Sequence, residues 1–341
     1  MRFAFTDEQL LFRDAVRDLL SKECPPEVVR DAWVSPDGRS GVVWRALAEM
    51  GVVGLTVPEA HGGLGLGELD LVLLLTEAGR AALPEPLVET TAVAAPLLRD
   101  VADGTVGSTW LPRIAAGEAI VSVALAGDPF LPGATYAELF VVERADRLVA
   151  LPASAVEVQP QPSVDGARRL GSLRWDPEAE IVLVEGPEGW HAVNTAFDRG
   201  ALGTAAVLIG LAEHLLEVTV DYVRQREQFG VPVGSFQAVK HQLADAALAL
   251  AFATPVVHHA AYAMATGAPT RSRDASMAKC YASEAAERMA RTALQCHGAI
   301  GYTVEYDLHL WMKRVWALAA SWGDAAFHRH RVGLAVLGPP G

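Results

Sequence analysis

Cysteine is scarce in this chain. The three cysteines among 341 residues, Cys24, Cys280 and Cys296, are odd in number, lie far apart and form no CxxC pair. This pattern argues against a disulfide framework and against a cysteine-ligated zinc site. We therefore expect reduced thiols that are mostly buried.

Positive charge is also in short supply. The chain has 28 Lys and Arg against 41 Asp and Glu, a formal net charge of -13. Such a field repels nucleic acid and anionic lipid surfaces unless a local basic patch opposes it. The sequence contains no patch of that size, so we expect neither nucleic acid nor membrane partners.

Long uninterrupted apolar runs are missing as well. The first 20 residues carry acidic side chains within their apolar pattern, unlike a signal or transit peptide. The apolar runs at 201–213 and 244–257 are broken too early or too often to span a bilayer. The sequence therefore predicts a cytoplasmic protein.

The chain is long enough, and with 51% hydrophobic residues apolar enough, to build two or three domains. Residues 1–117 show a helical period that begins after Thr6, a predicted N-cap, and is interrupted by the glycine-rich stretch 57–70. Residues 118–193 change to short β-like runs separated by Pro, Gly and an Asp165-Gly166 turn. We expect an N-terminal α-helical domain followed by a small central β-domain.

Residues 194–341 return to the helical period. An apolar stripe follows the stretch FDRGALG, and further helices are predicted at 236–266, 272–297 and 304–330. Gly and Pro between these segments provide the short connections that antiparallel neighbours need. The predicted architecture is mainly α, with a small central β-domain and a C-terminal four-helix bundle.

One stretch of the acidic chain, residues 221–245, concentrates donors for anions. Arg226 and Gln228 precede a Phe229-Gly230 turn, and a predicted helix begins near Ser235. A guanidinium and a helix N-terminus together suit phosphate oxygens. A solvated helix end that offsets the helix dipole explains the same residues, so this pattern alone leaves both interpretations open.

The same stretch resembles the acyl-CoA dehydrogenase family. That family has a Tyr followed by Arg-x-x-Phe-Gly and then Phe-Gln at the next helix, which here is Tyr222, Arg226, Phe229-Gly230 and Phe236-Gln237. A second stretch, ALQCHGAIGYTVEYDLHLWMKR at 293–314, and the N-terminal text at 44–80 are also similar to the family. The resemblance covers nearly the whole chain.

The resemblance implies an acyl-CoA dehydrogenase-like fold and an FAD shared with a partner subunit. In that family the corresponding residues reach the pyrophosphate and adenosine side of an FAD held mainly by the neighbouring chain. Carried over to this sequence, the cofactor-binding residues are Arg226, Gln228, Phe229, Val233, Phe236, Gln237, Gln295, Gly298 and Ala299.

The family's catalytic Glu is absent from both places where the resemblance implies it. One place, just before a Gly in the last helical region, holds Trp322; the other, at the start of the first bundle helix, holds Gly200. Asp324 and Asp198 are the nearest carboxylates, but a shift of two residues turns a helical side chain by about 200°. We therefore predict no catalytic residue in this chain.

The β-domain departs from the family pattern too. Family members that hold their own flavin have Ser and Thr donors in a loop after the first β-run, whereas this chain has DPFLPGATYAELF at 128–140. The chain thus resembles the short, base-lacking subunit of heteromeric actinobacterial acyl-CoA dehydrogenases. The resemblance implies an α2β2 heterotetramer acting on CoA thioesters of steroid side chains, with acyl-CoA bound mainly by the catalytic partner and this chain inactive alone.

Two other functions stay open at this point. The first is a homotetrameric acyl-CoA dehydrogenase with a displaced base, Asp198 or Asp324. The second is a scaffold subunit that binds no cofactor.

Histidines and tryptophans provide three further features of the sequence. His258-His259 and the pair His328 and His330 lack the i,i+4 spacing of a zinc helix, so we predict no metal site. His297 is expected to pack beside the dinucleotide. Trp311, Trp316 and Trp322 are expected to form an aromatic face on the last helix, packed in the core or against another subunit, or as a lid that fills a vacated active site.

Overall fold

The computed structural model describes residues 4–101, 104–125, 130–145 and 147–338. Its N-terminal third is helical. Thr6 starts the first helix with a capping box, in which its hydroxyl accepts the Gln9 N–H at 3.3 Å and the Gln9 side chain accepts the Thr6 N–H at 2.9 Å. The helices are α1 Asp7–Glu23, α2 Pro26–Val34, α3 Gly41–Glu49, α4 Glu68–Arg80, α5 Ala95–Val101 and α6 Thr105–Ala115, and a π-helical segment Val88–Ala94 leads directly into α5.

A β region follows. Its strands are β1 Val121–Ala124, β2 Leu139–Arg144, β3 Arg147–Pro152, β4 Val156–Gln161, β5 Leu170–Trp175 and β6 Ile181–Glu185. Four of them form a sheet in the order β1-β2-β3-β6, with β1 and β2 parallel and the other pairs antiparallel, while β4 and β5 form a separate hairpin. The sequence pattern missed β5, because Gly171 and Arg174 interrupt its apolar alternation.

The C-terminal helices are α7 Gly186–Gln225, α8 Gln237–Ala265, α9 Arg271–His297, α10 Leu308–Ala320 and α11 Ala325–Leu337. The centre of α7 is buried on all sides, since it packs against α4 as well as α9. Close approach to α4 requires glycine: a Cβ at Gly210 would lie 1.8 Å from the Thr76 carbonyl oxygen, and one at Gly79 would lie 2.1 Å from that of Val207. The N-terminal helices and the bundle therefore share one interface of closely packed backbone.

Helix α7 begins before the predicted domain boundary at 193/194 and runs across it. It starts at Gly186 with Pro187 in its first turn, a favoured position for proline. The single helix predicted at 304–330 is wrong, because the chain breaks between α10 and α11. Trp322 and Gly323 have φ values of 55° and 84°, which no helix accommodates.

The break also removes Trp322 from the predicted aromatic face. Trp311 and Trp316 lie on α10, whereas Trp322 lies beyond its end.

Both α7 and α8 are long and apolar enough to cross a membrane, but both lie in the helical bundle and α7 is mostly buried there. Within the described residues no group of three His, Cys, Asp or Glu side chains could hold a metal ion.

Candidate functional sites

A tight hairpin follows the end of α7. Glu227–Gln228 (β7) pairs antiparallel with Val231–Pro232 (β8), and the turn between them is Phe229-Gly230. Both turn residues have positive φ, 55° and 77°, as a two-residue hairpin of the commonest type requires. The turn directs the Phe229 ring outward, where 93% of the residue is exposed.

The hairpin forms one wall of an open groove of about 640 Å³. The start of α8 and the end of α9 with the turn after it form the other walls. Of the nine predicted cofactor-binding residues, the groove is lined by Arg226, Gln228, Val233, Gln295, Gly298 and Ala299. The structure thus brings together residues from two segments that lie about 70 positions apart in the chain.

The other three predicted residues stand beside the groove. The rings of Phe229 and Phe236 meet edge to face with centroids 6.2 Å apart. Gln237 is the first residue of α8, and no side chain caps this helix end. The backbone N–H groups and the positive dipole end of a 29-residue helix therefore point toward the same region as Arg226.

The groove is open to solvent and has polar as well as apolar walls. Arg226 is exposed and, among the described residues, takes part in no ion pair. The side-chain amides of Gln228 and Gln295 add donors and acceptors. An unpaired guanidinium, two amides and a helix N-terminus around one groove can bind an anionic, hydrogen-bonding ligand such as the pyrophosphate part of a dinucleotide.

An aromatic stack supports the back of the groove. The Tyr222 ring stacks on His297 with centroids 4.2 Å apart, and the Tyr306 hydroxyl lies 3.3 Å from His297 Nε2. His297 Nδ1 donates to the Ala293 carbonyl at 2.8 Å, and burial lowers the pKa of the imidazole. His297 is therefore a packed residue beneath the groove, and its place beside a dinucleotide stays a prediction.

Several groove residues were not predicted. Ala238, Val239, Gln242, Cys296 and Ile300 line it as well. Gln242 follows Ala238 by four residues and lies on the same face of α8, but the sequence does not show that this face lines the groove. Tyr306 gave no sequence signal, because the 3₁₀ turn at Gly298–Tyr302 and the short loop after it carry it back to His297.

The second candidate site is formed by Gly200 and Trp322. Gly200 lies within α7, and the indole of Trp322 covers its α-carbon so closely that a Cβ at Gly200 would lie 2.3 Å from Trp322 Cδ2. Trp322 is buried, with 4% of its surface exposed. Phe197 meets the indole edge to face at 6.2 Å. The two positions that the sequence singled out for a catalytic base are therefore in contact.

Buried polar groups hold the chain at this break. His328 Nε2 donates to the Trp322 carbonyl at 2.7 Å, and burial lowers the pKa of His328 to about 4. Lys279 Nζ donates to the carbonyls of Gly323 at 3.0 Å and Ala319 at 2.9 Å, and lies 3.1 Å from the Ser283 hydroxyl. Burial also lowers the pKa of Lys279, to about 7.

The two nearby carboxylates have other partners. Asp198 is buried and forms an ion pair with Arg331 at 3.0 Å; burial raises its pKa. Asp324 caps α11, since its Oδ1 accepts the Phe327 N–H at 2.8 Å. Each carboxylate thus has a structural contact that a role as general base would have to break.

The predicted lack of flavin-ring donors concerns a loop that lies partly outside the described residues, at 126–129. In the part of the loop that the structure describes, Leu131 pairs with Gly171 and the buried Ser122 hydroxyl on β1 donates to the Pro132 carbonyl at 2.7 Å. The Ser122 hydroxyl is therefore already engaged within the protein.

Known protein families match both helical parts of the chain. The acyl-CoA dehydrogenase N-terminal domain matches residues 6–118, and the acyl-CoA dehydrogenase C-terminal domain matches residues 187–337. The acyl-CoA dehydrogenase IpdE2 of Mycobacterium tuberculosis is 36% identical over 310 residues, which cover 90% of this chain and 91% of that protein. The chain belongs to the acyl-CoA dehydrogenase family, and the fold predicted from the resemblance is confirmed.

Solved structures of other proteins have the same fold. The steroid ACAD Tcur3481-Tcur3483 superposes with a TM-score of 0.86 at 26% identity, over 97% of this chain and 98% of that one. The ChsE4-ChsE5 complex from Mycobacterium tuberculosis gives 0.88 at 23% identity over the full length of both chains. A glutaryl-CoA dehydrogenase from Mycobacterium smegmatis in complex with FADH2 has the same fold, with a TM-score of 0.85 at 17% identity over 99% of this chain and 96% of that one.

Proposed function

We propose that this chain is the non-catalytic subunit of a heteromeric, FAD-dependent acyl-CoA dehydrogenase, and that Arg226, Gln228 and Gln295 serve the FAD of a partner subunit. The observation that carries this proposal is a contrast within one domain. The groove at the end of α7 is open, contains an exposed guanidinium and is lined by six of the predicted cofactor residues. The contact between Gly200 and Trp322 is closed and apolar, and contains no carboxylate.

The donor set of the groove fits a dinucleotide. Arg226 supplies a planar guanidinium that suits phosphate oxygens, the N-terminus of α8 supplies backbone N–H groups, and the flat Phe229 and Phe236 rings suit an adenine. All of these groups face outward, so a cofactor bound there also contacts whatever covers the groove. This is the arrangement expected for a nucleotide shared between two chains.

The division of labour follows from the chemistry. Desaturation of an acyl-CoA needs a carboxylate that takes the α-proton while FAD accepts a hydride from the β-carbon. This chain offers an indole and a glycine where the family places that carboxylate, and an indole takes up no proton at neutral pH. We assign the base and most of the acyl-CoA contacts to the partner, and expect this chain alone to be inactive.

The relatives support a heteromer. ChsE4-ChsE5 is a complex of two different chains and Tcur3481-Tcur3483 is described as a steroid ACAD. We extend both features to this protein: an α2β2 assembly in the cytoplasm, with CoA thioesters of steroid side chains as substrates. A displaced base at Asp198 or Asp324 gains no support, because Arg331 and the cap of α11 engage these carboxylates.

Two arginines at the end of α7 allow a matched test. In the co-purified complex, Arg226→Ala removes a groove guanidinium, and we expect about 10- to 100-fold weaker FAD retention, the usual cost of a lost charge-assisted hydrogen bond. Arg224→Ala removes another exposed arginine, which does not line the groove, and should leave retention unchanged. Equal retention in both variants, measured by flavin absorbance after gel filtration, would refute the shared groove.

A further inference from the structure

Gly200 and Trp322 meet in space although they lie far apart in the chain. Gly200 belongs to α7 and Trp322 to the break between α10 and α11, and the indole lies against the α-carbon of Gly200. A longer side chain from either element would point into the same small volume. In this chain one indole fills that volume, and the facing residue has no side chain that could compete for it.

The backbone at Trp322 is held in an unfavourable conformation. Its φ of 55° belongs to the left-handed region, which bulky residues rarely adopt. Such a conformation persists only where the surroundings enforce it. Here buried groups bind two consecutive carbonyls, His328 that of Trp322 and Lys279 that of Gly323. The indole is therefore fixed in place by the fold.

Little space is left nearby for a substrate. The cavity on α7 beside Gly200, lined in part by Arg199, Leu202 and Gly203, has a volume of about 10 Å³. Sites that enclose small molecules typically measure about 300–1,000 Å³. This cavity is therefore far too small to hold an acyl thioester.

From these observations we infer that Trp322 closes the thioester position of this chain, so that each pair of subunits binds one acyl-CoA instead of two. The inference rests on the proposed function, because it assumes a partner with an open site. It assigns Trp322 a role in directing the substrate: the thioester is excluded from the subunit that has no base and binds only where it can react.

The stoichiometry of binding decides the inference. The flavin-loaded complex is titrated calorimetrically with an S-alkyl-CoA thioether, which cannot be desaturated because it has no thioester carbonyl. We expect one thioether per two chains. Binding of two thioether molecules per two chains, in a complex with one flavin per two chains, would overturn the inference. It would leave the proposed function intact. A flavin in every chain would instead contradict the proposed function.

A variant tests whether the indole fills a closed space. Trp322→Ala should lower the Tm of the complex, and millimolar indole should restore part of the loss, as a ligand does when it binds only the folded state. Trp316→Ala, which truncates a partly exposed indole on α10, should show no such recovery. Equal effects of indole on the two variants would contradict a closed space at Trp322. The titration of the unmodified complex stands whether or not the variant folds.

Discussion

At the scale of the residue, a missing side chain is as informative as a large one. Trp322 occupies its place only because residue 200 is glycine, since any Cβ there would overlap the indole. The adjoining Phe197 and His328 rings complete the packing around it. The glycine at position 200 and the indole at position 322 are therefore parts of a single packing arrangement.

This arrangement predicts strong coupling between the two positions. Gly200→Ala should lower the free energy of unfolding by about 1–3 kcal/mol, the usual cost of an overpacked core. In the Trp322→Ala background the same change should cost little, because the indole no longer occupies the space. Chemical denaturation of the four proteins measures the coupling as a double-mutant cycle.

A glycine elsewhere provides the control. Gly333 lies in α11 with no atom within 4 Å of a Cβ, so Gly333→Ala should be neutral or stabilising by up to about 1 kcal/mol. Additive effects of the changes at 200 and 322, within about 0.5 kcal/mol, would show that the residues do not share one volume.

Motifs made part of the site predictable at this scale. The Arg-x-x-Phe-Gly text and the second motif gave six residues that do line one groove. They could not give Tyr306 or Gln242, whose positions depend on how separate segments pack. The contact between Gly200 and Trp322 could not be predicted either. Each residue was singled out because it is not a carboxylate, and nothing in the sequence indicates that the two residues touch.

At the scale of the element, the break between α10 and α11 is the unusual feature. Lys279 on α9 lies across it and satisfies carbonyls at 319 and 323 from a fully buried position. The amine donates to both carbonyls and to the Ser283 hydroxyl. Burial nevertheless favours its uncharged form, because desolvation penalises the charge.

This burial predicts a pH dependence of stability. The pKa of Lys279 is about 7 in the folded chain, whereas its ordinary value is 10.5. Between these two pH values the unfolded chain therefore binds more protons than the folded chain. The free energy of unfolding should therefore rise with pH above 7, by up to about 1.4 kcal/mol per pH unit from this residue. Below pH 7 both states are protonated and the contribution to the slope vanishes.

The comparison of variants isolates this contribution. Unfolding is measured by denaturant titration between pH 7 and about 8, below the ordinary cysteine pKa of about 8.5. Lys279→Met should remove the positive slope, whereas Lys240→Met, at an exposed lysine on α8, should keep it. An unchanged slope in Lys279→Met would mean that the buried amine is charged.

Gly and Pro residues between helices explain which elements could be predicted from the sequence. The predictions at 236–266 and 272–297 differ from α8 and α9 by one residue at three of their four ends, since Gly and Pro mark the connections. The break at Trp322-Gly323 carries a single glycine inside an apolar run, which the helical period tolerates. Tertiary contacts of Lys279 and His328 decide it, and local sequence does not reveal them.

At the scale of the whole molecule, two regions of the C-terminal domain differ in exposure. Around the groove, Phe229, Ile300 and Tyr302 expose large apolar surfaces next to polar donors. Such a combination marks surfaces that other molecules cover. Around Gly200 and Trp322 the side chains are packed. This difference in exposure is what the proposed division of labour between two subunits requires.

The family-level architecture could be predicted because two dispersed motifs stood in the right order. The two helical regions matched by the family models confirm it. The division into domains at 117 and 193 stays a prediction, as α7 runs across the second boundary and α4 packs closely on α7. Helices that the sequence pattern assigns to separate domains therefore pack in one core in the structure.

The flavin content of purified protein tests the central claim most directly. The chain expressed alone and the chain co-expressed with a longer, Glu-bearing acyl-CoA dehydrogenase are purified, and FAD is quantified by absorbance against chain concentration. We predict no flavin in the isolated chain and about one FAD per two chains in the complex. One FAD bound to every isolated chain, with acyl-CoA turnover, would contradict the account.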